Sequence, residues 1–341
     1  METQQLETVA RDLVAENKGI LAADESSGTI EKRFSSIEVE STEENRRAYR
    51  DLLFTTPGVE DYISGVILYD ETLRQSAADG TRFGDLLSER GIIPGIKVDN
   101  GAKPLAFAPA ETVTEGLDGL RERLAEYREL GAKFTKWRAT YSISEELPSR
   151  LCCEVNAHAL ARYAALAQEA GLVPIVEPEV LMDGDHTIER CFEATSEVLH
   201  FVFDELVHHC VSLEGILLKP NMVVSGKDCP EQAGPEKVAE LTLRCFGRHV
   251  PAAVTGIVFL SGGQSDEDAS ANLNAINSVG AQPWELSFSY GRALQAPALK
   301  AWRGAADNVA AAQDAFRHRA RLNSAARAGR YSADMEELAA A

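Results

Sequence analysis

Positive charge is scarce in this sequence. Its 341 residues include 34 Lys and Arg against 53 Asp and Glu, a net charge of −19. So acidic a chain has no general attraction for nucleic acid or an anionic membrane, and neither is expected as a partner. Any anionic ligand must be met by cations gathered at one place. Cysteine is sparse as well. The six, Cys152, Cys153, Cys191, Cys210, Cys229 and Cys245, form no C-x-x-C pair and suit free thiols in a reducing compartment. No apolar stretch approaches the ~18 residues of a membrane span. The opening METQQLETVARDLV carries Glu2, Glu7, Arg11 and Asp12 and has no apolar leader segment. A cytoplasmic protein is expected. The chain also lacks a Pro/Gly/Ser-rich linker and any repeat of the length that marks a solenoid.

What is present is an alternation. Eight short apolar runs read as strands: ILAAD (20–24), VILYD (66–70), IPGIKV (93–98), FTKWRA (134–139), VPIVEPEV (173–180), GILLKPN (215–221), GIVFLSGG (256–263) and WELSFSYG (284–291). Helical segments lie between them. Capping boxes are read at Ser41–Glu44 and Thr112–Glu115, with caps at Thr187 and Ser265 and helix stops at Gly131, Gly171 and Gly280. A last, alanine-rich helix spans roughly 304–328. Strand and helix alternating eight times predict an α/β fold, a single closed parallel (β/α)8 barrel over 1–330 with a flexible tail at 331–341. A doubly wound open sheet is the alternative. It usually shows a Gly-rich turn after its first strand, and here that strand runs into AADESSG instead.

In such a barrel the active site lies at the C-terminal strand ends. Those ends hold Asp24, Asp70, Lys97, Lys136, Arg138, Glu177, Glu179, Lys219, a Ser261-Gly262-Gly263 turn and the stretch Ser289 to Arg292. Lys136 and Arg138 are two apart and share a face, as do Glu177 and Glu179. If both faces point into the mouth, two cations and two carboxylates meet around one pocket. Lys219 ends a buried run and is followed by Pro220, which favours an extended backbone at the lysine. Lysine is seldom buried without compensation. One reading is that it snorkels to water. The other is that it is set as a nucleophile for carbonyl carbon through a Schiff base, since desolvation and neighbouring cations both favour a neutral amine.

Two anion-binding features accompany these groups. FLSGGQS leaves the seventh strand with two glycines whose N–H groups can approach an anion, and SYGRAL leaves the eighth with Gly291 and Arg292. A second anion site can form from Ser26, Thr29 and Lys97. None of the seven histidines ends a strand, and His208 and His209 are adjacent on a helix and point apart. No catalytic metal and no cofactor are expected.

The stretches GILAADESSGTIEKRF, GIKVDNG, KWR, IVEPEVLMDGDH, ILLKPNMV, FLSGGQS and SFSYGRALQAPALKAW resemble the class I, Schiff-base-forming fructose-1,6-bisphosphate aldolases over most of the chain. The resemblance implies a metal-independent lyase that cleaves fructose 1,6-bisphosphate to dihydroxyacetone phosphate and glyceraldehyde 3-phosphate. By it Lys219 forms the imine, Glu177 is the acid/base for the carbinolamine, and Asp24 takes the C4 hydroxyl proton. Lys136 supports the charges nearby, with Arg138 and Glu179 beside it. Ser261, Gly262 and Arg292 hold the C1 phosphate, while Ser26, Thr29 and Lys97 face the C6 phosphate. A homo-oligomer is implied too, since the family often forms tetramers. A preference for fructose 1-phosphate or sedoheptulose bisphosphate, or a non-catalytic barrel that binds protein partners, are the other readings. The chain departs from animal members, which end in a tyrosine: its last tyrosine is Tyr331, and Asn100 stands where many members carry a second lysine.

Overall fold

The eight apolar runs are too short and too β-branched for helices, and each forms a parallel strand. The computed structural model describes residues 2–339. The strands are β1 (Gly19–Ala23), β2 (Ile63–Leu68), β3 (Ile93–Lys97), β4 (Phe134–Tyr141), β5 (Val173–Val180), β6 (Leu217–Leu218), β7 (Gly256–Phe259) and β8 (Glu285–Tyr290). Each pairs with its neighbour in sequence, and β1 pairs with β8, so the sheet closes into the expected barrel. Hydrogen bonding at β6 outlasts its two residues: Lys219 N–H donates to the Val176 carbonyl at 2.8 Å. The Lys219 backbone is thus part of the wall.

Helices cover the outside. The one at Ile188–His208 shows why. Thr187 accepts from Arg190 N–H at 3.2 Å, and Ile188, Cys191, Val198, Val202 and Leu206 form a buried stripe at helical spacing. The Ser265 cap also forms, accepting from Asp268 N–H. Two expected caps do not. The helix Glu43–Phe54 is capped by Thr42, one residue later than Ser41, because the Thr42 hydroxyl reaches Asn45 N–H. Thr112 lies in a strand: 102–105 and 108–114 form an antiparallel hairpin beside the barrel, and the following helix starts at Leu120 after Gly119. The final helix begins at Val309. Beyond it, Ala333–Ala339 forms a 3-10 helix, with Glu336 at 2.6 Å from the buried Arg319. Residues 340 and 341 of the expected tail lie outside the described residues.

The barrel interior is apolar at the bottom. Leu6, Ala10, Leu13 and Val14 of the N-terminal segment pack there with Ile20, Ile67, Phe134, Ile175, Leu217 and Val258. Helix Glu2–Leu13 is thus a plug. Glycine makes room for it: a Cβ on Gly65 would stand 2.6 Å from Leu13, and one on Gly256 2.7 Å from Val14. Gly95 faces its register partner Phe134, and a Cβ there would meet the ring at 2.4 Å. Gly95→Ala is therefore expected to lower stability by about 1–3 kcal/mol through overpacking. Urea unfolding of the pure variant measures it, and an unchanged midpoint would contradict this packing.

Candidate active site

The inner face of each strand changes character along its length. Period-two alternation keeps residues i and i+2 on one face. Thus Ala22 leads to Asp24, Phe134 to Lys136 and Arg138, Ile175 to Glu177 and Glu179, Leu217 to Lys219, and Ser287 to Ser289. The wall that packs on the plug becomes, one pleat higher, the wall of a charged cavity of about 820 Å³ at the C-terminal strand ends. Lys219, Glu177, Asp24, Lys136, Glu179, Arg138, Ser261, Gly262, Arg292, Lys97, Ser26 and Thr29 all line it.

Four buried charges form its floor. Lys136 Nζ lies 2.6 Å from Asp24 Oδ2 and 3.4 Å from Glu177 Oε2. Lys219 Nζ lies 3.2 Å from Glu177 Oε1. Lys136 and Lys219 are each 4% exposed, so neither snorkels. Burial alone would push the Lys136 ammonium down, but the carboxylates of Asp24, Glu177 and Asp99 hold it well above the ordinary lysine range. Burial likewise opposes charge on Asp24, yet Lys136 and then Lys219 hold it well below the ordinary carboxylate range. Lys136 is therefore a fixed cation and a poor nucleophile. Among the described residues it makes two ion pairs and Lys219 one. Glu177 Oε2 is buried and, among the described residues, accepts no hydrogen bond. An open carboxylate oxygen beside an amine can pass a proton to and from an entering group.

Above the floor the walls carry donors for anions. Ser26 and Thr29 place their hydroxyls 3.1 Å apart at the N-terminus of helix Ser27–Ser35, where free N–H groups favour negative charge. Lys97 is steered by Asp99, which takes it at 2.7 Å through Oδ1. On the other side Gly262 has φ of 56°, a left-handed turn that suits glycine. Arg292 donates to the carbonyls of Gly262 at 3.3 Å and of Gln264, tying the β7 and β8 loops together. Arg138 pairs with Glu179 at the mouth.

Several groups around the cavity gave no sequence signal. Glu25 is buried between Arg33 and Arg50 and accepts from Gln295 at 2.9 Å. Burial raises its carboxyl, and Arg50 and Arg33 bring it below the ordinary range. Arg33 lines the cavity from the helix after β1. Asp99 accepts from Gly101 and Arg138 N–H as well as from Lys97. Asn221 accepts from Val180 N–H at 3.0 Å and donates to Thr195, fixing the strand end that carries Lys219. The KPN motif marks Asn221; nothing in spacing marks the partners of Glu25, which are brought together only by the helix packing.

Comparison with known proteins follows this geometry. The family described as fructose-bisphosphate aldolase class-I, a glycolytic family, matches residues 5–341. The chain is 57% identical to a probable fructose-bisphosphate aldolase class 1 of Xanthomonas campestris pv. campestris, over 97% of this chain and 99% of the relative. It is 54% identical to a cytosolic fructose-bisphosphate aldolase of Arabidopsis thaliana, covering 98% and 86%. Among solved structures, fructose-bisphosphate aldolase from Plasmodium falciparum, in complex with TRAP and a small-molecule inhibitor, superimposes with a TM-score of 0.96. The two are 50% identical over 97% of this chain and 96% of that one.

The lowered Asp24 carboxyl carries a sign for stability. A depressed folded pKa adds stability that is complete above the unfolded value, near pH 4, and is lost as pH falls toward the folded one. Wild type minus Asp24→Asn, measured by urea unfolding, should therefore be constant above about pH 5 and shrink below about pH 4. A difference that grows on acidification would contradict the ion pair.

Proposed function

The chain belongs to the class I fructose-bisphosphate aldolase family, metal-independent lyases that work through a lysine Schiff base, and we propose that Lys219 is that lysine. One observation carries the assignment: of two buried amines on the cavity floor, Lys136 is claimed by Asp24 and Glu177, while Lys219, among the described residues, is ion-paired with Glu177 alone. The substrate is fructose 1,6-bisphosphate, whose two phosphates match the two groups of anion donors, one on the β1 and β3 ends and one on the loops after β7 and β8.

The steps follow from the placement of protons. Lys219 gives one proton to Glu177 and its neutral amine attacks the C2 carbonyl; a second proton moves from the nitrogen to the carbonyl oxygen, which makes the carbinolamine hydroxyl. Glu177 returns the first proton to that hydroxyl, water leaves, and a protonated imine remains. The iminium draws electrons from the C3–C4 bond. Asp24 takes the C4 hydroxyl proton as that bond breaks and glyceraldehyde 3-phosphate leaves. Held so far below the ordinary range, Asp24 is a weak base, and the iminium must supply most of the driving force. The remaining enamine of dihydroxyacetone phosphate gains a proton at C3 from Glu177, Glu179 or water, and hydrolysis frees Lys219. Lys136 stays protonated throughout and stabilises Asp24 and the alkoxide that forms at C4. Arg138, held by Glu179, steers substrate at the mouth. Ser261, Gly262 and Arg292 take the C1 phosphate, and Ser26, Thr29 and Lys97 take the C6 phosphate.

No helix of the described residues is long and apolar enough to cross a membrane. With the cytosolic relative, that supports a cytoplasmic enzyme. The family resemblance supports a homo-oligomer, of the tetrameric kind the family often forms.

Two variants test the reading. Lys219→Met should abolish multiple turnover of fructose 1,6-bisphosphate, because no other nucleophile is in place. Retained turnover within about tenfold would remove Lys219 from the covalent step. Arg292→Ala should raise the KM by about 10- to 150-fold, the loss of a charge-assisted phosphate contact worth ~1.5–3 kcal/mol, with a smaller change in kcat. An unchanged KM would put the phosphate elsewhere.

A further inference from the structure

The outer wall of the barrel carries a cluster that the cleavage chemistry does not use. Helices Arg150–Glu169 and Ile188–His208 pack side by side. Where they meet, His158 of the first, Glu205 of the second and His209 at the second helix's C-terminus each offer one donor atom, all within 4.8 Å of one another. None of the three lines the cavity. Glu205 and His209 are four apart, one helical turn, and so share a face. His158 comes from a segment 47 residues away in sequence.

The Glu205 carboxylate stands between the two rings. Glu205 Oε2 lies 3.2 Å from His158 Nδ1 and 3.4 Å from His209 Nδ1. The Glu205 backbone carbonyl, which can only accept, lies 2.9 Å from His209 Nδ1, so it holds that proton and leaves the lone pair on Nε2. The two imidazoles stand edge to face with centroids 5.0 Å apart. Each ring is thus held through Nδ1, His158 by the Glu205 carboxylate and His209 by the Glu205 carbonyl. In a tetrahedral zinc site, ligands at ~2.0–2.2 Å stand roughly 3.4 Å apart. The cluster must close by about an ångström, which the side-chain torsions of partly exposed residues allow.

We propose that His158, Glu205 and His209 form a binding site for one divalent transition-metal ion of the zinc class. Two imidazoles and one carboxylate suit zinc, cobalt(II), nickel(II) or copper(II) over magnesium and calcium, and they leave coordination positions for water. On binding, the ion takes a carboxylate oxygen of Glu205 and one lone pair from each imidazole, and each neutral ring carries its proton on its other nitrogen. The ion sits on the outside of the barrel and takes no part in carbon–carbon cleavage.

The test uses full-length enzyme stripped with EDTA and titrated with zinc against a chromophoric chelator. One saturable equivalent is expected. His158→Ala and His209→Ala should each weaken it by about 10- to 100-fold, and Cys210→Ser should leave it unchanged. Cobalt(II) should give visible ligand-field bands without a thiolate charge-transfer band, and these should vanish in both histidine variants. The cleavage rate should stay within about twofold with EDTA or one equivalent of zinc. Three results would overturn the proposal. They are no saturable equivalent in the wild type, equal binding in the histidine variants, and loss in Cys210→Ser. The last two would place the metal on thiols.

Discussion

The unequal sharing of two carboxylates between two buried lysines is the interaction on which the site depends. Four ionisable groups stand together in a place where isolated charge is costly, and each is tolerated because its neighbours compensate it. Asp24 and Lys136 form the closed pair, at 2.6 Å. Glu177 spans the gap, one oxygen toward each amine. Removing Lys136 takes away the ion-pair partner of Asp24, and removing Glu177 takes away that of Lys219. The arrangement therefore serves folding and the proposed chemistry together: Lys136 is held by two carboxylates, and Lys219 is paired with Glu177.

That floor rests on the plug beneath it. The strands that carry Lys136 and Glu177, and those that lead into Asp24 and Lys219, begin in the apolar layer closed by Leu6, Ala10, Leu13 and Val14. Small residues at Gly65, Gly95 and Gly256 admit that layer. The strand register then sets which residues face one another one pleat higher: Lys97 is opposite Lys136, and Arg138 opposite Glu177. A one-residue slip in any strand would turn its charged group outward. The precision of the site is thus a property of the sheet, with the loops adding only the anion donors.

Much of this was legible in the sequence because period two survives to the ends of the strands. ILAAD, FTKWR, IVEPE and ILLK each run apolar into ionisable on one face, and the twelve residues expected at the site all line one cavity. The KPN motif at Lys219 was legible for a second reason, since Pro220 restricts the backbone there. The hairpin at 102–114 was not legible: GAKPLAFAPAETVT has few core residues, and its Thr112 reads as a cap as readily as a strand residue. Glu25 was hidden by its neighbour Asp24, and its partners Arg33, Arg50 and Gln295 come from helices whose packing has no local code. The His158–Glu205–His209 cluster was hidden in the same way. On one helix His208 and His209 point apart, and the third donor comes from another.

The central claim is that Lys219, and neither of the other cavity lysines, becomes covalently bound to substrate. Borohydride reduction in the presence of dihydroxyacetone phosphate, followed by peptide mass mapping, tests it most directly. The account predicts a triose-phosphate adduct on the peptide that contains Lys219, with Lys136 and Lys97 unlabelled. An adduct on Lys136 would contradict it, because that amine could not then be the fixed cation that its two carboxylates make it.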